Sequence, residues 1–244
     1  MRVAVISDIH GNLHALDAVL AEIARTGVDE VWCLGDIVGY GARPNECCDV
    51  VRERTQLSLC GNHDLAVLGS IDIAAFSGDA GTAARWTAGV LEASRRAWLS
   101  SLEPLAQRND VDLFHASARD PVWEYVLSEH VALLSLRETK APVVLVGHSH
   151  VALALGWDGA GTEITGGVAP AGTELELRGR RLLLNPGSVG QPRDGDPRAA
   201  WLLLDLDAGR AAFHRVAYPI AETQAEIRAA GLPDALAGRL EHGI

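Results

Sequence analysis

The sequence predicts an α/β fold, parallel at its start and antiparallel at its close. The first third alternates short apolar runs with helical periodicity, a β-α-β-α-β order that marks right-handed parallel crossovers. The run at residues 2–7 is β-branched and almost continuously apolar, as in strands buried on both faces. Beyond residue 150, short runs separated by Gly, Asp and Asn turns dominate instead, which suits antiparallel strands.

Residues 2–7 (RVAVIS) make the first strand. Leu13, Leu16, Val19, Leu20 and Ile23 then recur at helical spacing, and Gly27 stops that helix. Residues 29–34 form a second strand ending on Gly35-Asp36. Residues 44–54 read as a helix with Pro44 in its first turn. Residues 56–60 are a third strand running into Gly61-Asn62. From about 65 to 102, Ala, Ser and Thr are frequent, and Trp86, Leu91 and Trp98 mark apolar faces; two or three helices forming a cap or flank are expected. Residues 111–115 are a strand with His115 at its end, 131–136 a helix, and 142–146 a strand ending at Gly147-His148. Short strands follow at 151–157, 174–177, 181–184, 200–206 and 211–216, then closing helices at 221–230 and 233–240. With no internal repeat and no linker, 1–244 is expected to be a single domain carrying the helical region at about 65–102.

The chain has 244 residues, 48% of them hydrophobic, and a formal net charge of -11. That is enough apolar material for a buried core. An acidic chain repels phosphate backbones at long range, which argues against non-specific nucleic-acid binding. Bound divalent metals would reverse that sign locally. Cys33, Cys47, Cys48 and Cys60 have neither CxxC spacing nor a disulfide framework and read as small, reduced core residues. There is no leader-like N-terminus and no apolar run of the ~18 residues a membrane span requires. The expectation is a cytoplasmic protein without membrane contact, and nothing in the sequence specifies an oligomer.

Five pieces carry metal-ligand chemistry: Asp8-Ile9-His10, Gly35-Asp36, Gly61-Asn62-His63-Asp64, His115 and Gly147-His148-Ser149-His150. They supply two carboxylates, one amide oxygen and four imidazoles, with a spare His–Asp pair. Such donors suit Mn, Fe, Zn and similar divalent ions. Seven donors are too many for one ion and about right for two that share a carboxylate. Each lies at or just past a strand end, where open α/β sheets bind ligands. His148 and His150 would point the same way in an extended segment; in a bent loop they would serve adjacent ions.

With these residues the chain resembles the calcineurin-like metallophosphoesterase superfamily, whose pattern is D-x-H, G-D, G-N-H-[DE], H, G-H-x-H. The resemblance runs from Val3 to about Gln191. The segments Asp8-Ile9-His10-Gly11-Asn12-Leu13 and Asn185-Pro186-Gly187-Ser188-Val189-Gly190 are similar to its small bacterial and archaeal phosphodiesterase-like branch. The resemblance implies a four-layer α/β/β/α sandwich of two mixed sheets. It implies two divalent ions (Mn, Fe, Zn, Co or Ni), one held by Asp8, His10 and His150 and one by Asn62, His115 and His148, with Asp36 as the bridge. It also implies hydrolysis of phosphodiester or phosphomonoester bonds in a small substrate by a metal-bridging hydroxide. His63 would protonate the leaving-group oxygen or stabilise charge there, with Asp64 orienting its ring or raising its pKa.

Asn12, Tyr40 and Arg193 are candidate substrate contacts. Asn12 could equally cap a helix, and Arg193 could clamp phosphate oxygens through its planar fork. Trp123 and Tyr125 follow the His115 loop and read as loop-packing residues rather than base-stacking ones. The rival readings are a non-catalytic scaffold on the same fold, a Ser/Thr phosphoprotein phosphatase, a dinucleoside polyphosphate hydrolase and a nuclease. The full donor set tells against the scaffold, and the absence of a basic stretch tells against the nuclease.

Overall fold

The computed structural model describes residues 1–76 and 78–244. The opening is β1 (Arg2–Ile6), α1 (Leu13–Thr26), β2 (Glu30–Cys33), α2 (Pro44–Arg54) and β3 (Leu57–Ser58). The helical stretch comprises α3 (Asn62–Leu68), α4 (Gly78–Val90) and α5 (Ala93–Leu99). Next come β4 (Leu105–Arg108), β5 (Val111–Phe114), α6 (Glu129–Glu138) and β6 (Val143–Leu145). The chain continues with β7 (Ala152–Trp157), β8 (Ile164–Val168), β9 (Glu174–Glu176), β10 (Arg181–Pro186), β11 (Ala199–Asp205) and β12 (Arg210–Val216), then α7 (Ile220–Ala229) and α8 (Asp234–Gly238).

The strands form two mixed sheets of six, in the orders β3-β2-β1-β11-β12-β9 and β4-β5-β6-β10-β7-β8. In the first, β1, β2 and β3 are parallel, and β11 joins β1 antiparallel. In the second, β5, β6 and β10 are parallel. Alternation along each strand sets the layers. Val3, Val5, Trp32 and Leu34 pack against Leu113, Leu145, Leu182 and Leu184 across the gap between the sheets. The opposite face of the first sheet, Ala4, Ile6 and Cys33, packs on Leu16, Val19 and Ile23 of α1 and Cys47, Cys48 and Val51 of α2. Val144, Leu155 and Leu183 on the outer face of the second sheet pack on Leu133 and Leu136 of α6. The result is an α/β/β/α sandwich. The four cysteines are buried and unpaired.

The sequence reading missed two strands. In β4, Leu105-Ala106-Gln107-Arg108 is an edge strand without an apolar run. In β8, Gly166 has a φ of 106°, and a Cβ there would meet Ala154 O at 2.1 Å; an edge strand built round such a close approach has no alternating pattern to read. The third strand is also shorter than expected, two residues rather than five. No helix among the described residues is long and apolar enough to cross a membrane.

An ion pair ties the end of the working edge to the last strand. Asp194 Oδ2 accepts from Arg215 Nη2 and from Ala152 N, and the two side chains of the pair are only 4% and 3% exposed. Asp194→Ala would strand a buried guanidinium. A loss of about 3–5 kcal/mol in urea denaturation is expected; a loss below about 1 kcal/mol would mean that the pair behaves as a solvated one.

Candidate metal centre

The site lies where the parallel strands of both sheets end. Asp8 follows β1, Asp36 follows β2 and Asn62 opens α3 after β3; His115 ends β5, and His148 and His150 follow β6. Three loops therefore come from one sheet and two from the other, and they meet at the sandwich edge. Asp8, His10, Asp36, Tyr40, His148 and His150 all adopt positive φ, between 51° and 63°. Non-glycine residues avoid this region, so the backbone is strained where the donors are aimed. The bend places His148 and His150 in different donor groups, the second of the two readings of that segment.

Asp8, His10, Asp36 and His150 form one group, and Asp36, His115 and His148 another, each with donor atoms within 4.8 Å of one another. Asp36 belongs to both. Its Oδ1 accepts the His63 backbone N–H at 2.9 Å. Its Oδ2 is buried without a partner, 3.6 Å from His10 Nε2 and 3.5 Å from His115 Nε2. Asn62 Oδ1 lies 3.1 Å from His115 Nε2.

Each imidazole has one nitrogen taken by a backbone carbonyl. Nδ1 of His10, His115 and His150 meets the oxygens of Val38, Leu34 and Gln191 at 3.1, 2.9 and 2.7 Å. His148 uses Nε2, on Trp123 O at 3.2 Å. Donation there fixes the tautomer and turns the other nitrogen's lone pair inward, the arrangement of metal-ligating histidines.

Protons can be counted along one line of contacts. Val38 O, His10, His150 and Gln191 O make three contacts in a row, with the two Nε2 atoms 3.0 Å apart. Two neutral rings carry two protons, so one contact lacks a hydrogen. Burial pushes both rings well below the usual histidine range, so neither is cationic at neutral pH. Two bare lone pairs face each other, and a bound cation would relieve the repulsion. Burial also raises Asp36 well above the usual carboxylate range and holds His115 and His148 at about 3. These residues fit divalent metal ions held by nitrogen and oxygen.

The family follows from comparison with known proteins. Residues 1–209 match the model of the calcineurin-like phosphoesterase superfamily domain. The chain belongs to that superfamily. A metallophosphoesterase from Sphaerobacter thermophilus superposes with a TM-score of 0.91 at 43% identity, covering 100% of this chain and 99% of that one. An uncharacterized protein of Methanocaldococcus jannaschii is 36% identical over 243 residues, 98% of this chain and 96% of that protein. A shorter likeness, 32% over 74 residues, links the chain to a symmetrical bis(5'-nucleosyl)-tetraphosphatase of Actinobacillus pleuropneumoniae, covering 29% of this chain and 27% of that enzyme.

Within this calcineurin-like phosphoesterase, one expectation needs correction. Asp64 does not contact the His63 ring as an orienting partner. Its carboxylate accepts the backbone N–H groups of Gly61 (2.9 Å), Ile37 (3.0 Å) and Val38 (3.0 Å). It ties the Asp36 loop to the Asn62 loop, which makes it a positioning residue. Asn12 takes the capping role, the alternative reading of that residue. Its Oδ1 caps α1 at Ala15 N and accepts from Thr223, and its Nδ2 donates to Gly190 O, so its polar atoms are spent inside the fold.

Tyr40 and Arg193 do reach the site. The Tyr40 ring is 4.7 Å from that of His10 and 4.5 Å from that of His63. Arg193 Nη2 donates to Gln191 Oε1 at 2.9 Å and lies 3.4 Å from Tyr40 Oη, with no carboxylate partner among the described residues. The end of β10 and the turn after it hold the Asn185-Pro186-Gly187-Ser188-Val189-Gly190 segment. Here Asn185 Nδ2 donates to Gly147 O and Ser149 Oγ, and Ser188 Oγ donates to Asp8 O. It braces the Asp8 and His148 loops. Phe76, 4.7 Å from the His63 ring, had no local signal at all.

Gly61 has an ordinary φ of -110°, yet a Cβ there would stand 2.1 Å from Asp36 Oδ1 and 2.6 Å from His115 Cε1. Gly61→Ala is expected to keep its circular dichroism and to bind Mn roughly 10–100-fold more weakly in a calorimetric titration; unchanged affinity would show that Asp36 is not held where the geometry puts it. Proton release is a second readout. Burial raises the Asp8 and Asp36 carboxyls, and a metal needs them ionised. Affinity should therefore rise with pH, with protons released on binding in weakly buffered solution near neutrality.

Proposed function

We propose that this chain is a dinuclear metal-dependent phosphoesterase acting on a small phosphodiester or phosphomonoester. The observation that carries the reading is Asp36 Oδ2, unpartnered between two histidine groups. Asp8, His10 and His150 would hold one ion, Asn62, His115 and His148 the other, with Asp36 shared. Bound ions of this kind supply an activated water and offset charge on phosphoryl oxygens.

The chain's own residues do the rest. Arg193, free of carboxylates, draws the phosphoryl group toward the histidines and Tyr40. His63 Nδ1 is buried against Gly39 without a partner, so Nε2 is the nitrogen that meets the substrate. Burial, then the Arg193 charge, push the free ring down to about 3. The negative charge of a bound phosphate ester favours the protonated ring instead. That ring gives its Nε2 proton to the leaving-group oxygen. The 74-residue likeness to a dinucleoside tetraphosphatase is in keeping with a compact nucleotide substrate and too short to select one.

Hydrolysis of bis-p-nitrophenyl phosphate and p-nitrophenyl phosphate by Mn-loaded protein tests the reading. His63→Ala should lower kcat by ~10²–10⁴ with Mn affinity unchanged. Turnover of neither ester with metal bound would favour a scaffold, and failure to bind metal would remove the reading altogether.

A further inference from the structure

Among the described residues, Trp123 and Tyr125 are the aromatic side chains that stand out as exposed, at 38% and 46%. Both lie on one loop at the rim of the metal centre. The Tyr125 ring stacks on His148 at 4.0 Å and 10°. Trp123 O holds His148 Nε2, and the Trp123 ring lies 5.4 Å from Phe76, itself 4.7 Å from His63. A row of rings thus runs outward from the proton donor: His63, Phe76, Trp123. An exposed aromatic patch continuous with a reactive centre has a ligand-binding use.

We infer that Phe76, Trp123 and Tyr125 form a base-stacking subsite and that the group leaving beside His63 is a nucleoside. The assignment rests on the phosphoesterase reading. A base carried on a ribose is a flat π-face held away from phosphorus, which suits rings set outward from His63 at the rim. Every base has a π-face, so stacking of this kind selects nucleosides without choosing among bases. In the reaction, the bond from phosphorus to the water oxygen forms and the bond from phosphorus to the nucleoside oxygen breaks. That oxygen leaves with the His63 Nε2 proton, and the proton lost by water restores the ring.

The probes are the non-hydrolysable phosphonates of adenosine and of ribose, in which carbon replaces the bridging oxygen. Each is titrated by calorimetry into Mn-loaded protein. The adenosine compound should bind at least roughly tenfold more tightly than the ribose compound. Trp123→Ala should bring that ratio close to one, and Trp123→Phe should keep most of it. The ratio is internal, so a general loss of fold would weaken both ligands and leave it standing. Equal binding of the two by the wild type, or an undiminished ratio in Trp123→Ala, would overturn the nucleoside assignment while phosphonate binding left the phosphoesterase reading intact. Failure of both compounds to bind protein that hydrolyses a p-nitrophenyl ester would overturn the nucleoside assignment alone, and hydrolysis of neither ester would remove the phosphoesterase reading with it.

Discussion

Asp36 Oδ2 is buried with no hydrogen-bond partner, and two histidine nitrogens stand 3.6 and 3.5 Å away. Burial of a carboxyl oxygen without a partner is unfavourable, and a cation between these atoms would offset that cost. The bare nitrogens of His10 and His150 at 3.0 Å pose the same demand. The metal-free edge is thus a set of repulsions held in register by the rest of the molecule. Metal binding would relieve them, so metal affinity and folding stability are linked quantities here.

What holds the repulsions in register is the backbone around the donors. Carbonyls of Val38, Leu34, Gln191 and Trp123 each fix one imidazole. Backbone bonds from Asp8 N to Gly35 O and from His10 N to Asp36 O knit the first two loops together. Asp64 adds the third loop and Asn185 the fourth. Glycine permits the closest approaches: a Cβ on Gly35 would stand 2.7 Å from Cys60 C and Gly61 N. Six donor and neighbouring residues accept positive φ because these bonds over-determine them.

The net charge of -11 and the site are complementary rather than contradictory. Two divalent ions held at Asp8 and Asp36 would leave a positive locus inside an acidic surface. Arg193 adds to that locus without a carboxylate to neutralise it. The aromatic rim at Trp123 and Tyr125 lies beyond it, where an uncharged part of a substrate would rest.

Much was legible in the chain. The parallel opening shows in the runs at residues 2–7 and 29–34, because strands buried on both faces need continuous apolar sequence. Asp8, His10, Asp36, Asn62, His115, His148 and His150 are nameable as candidate donors because residues at strand ends leave short, ordered motifs. Edge strands β4 and β8 were not, since an edge has no two-sided burial to imprint a pattern. Asp64 was misread for a related reason: adjacency to His63 suggested a ring contact, whereas the start of α3 turns the carboxylate back onto three N–H groups. By itself, the sequence determined which atoms are available as donors and which strands deliver them. Only the tertiary structure decided which nitrogen of each histidine faces inward, that Asp36 is shared, and that Phe76, Trp123 and Tyr125 line one rim. These depend on contacts between loops distant in sequence, brought together only when the two sheets pack.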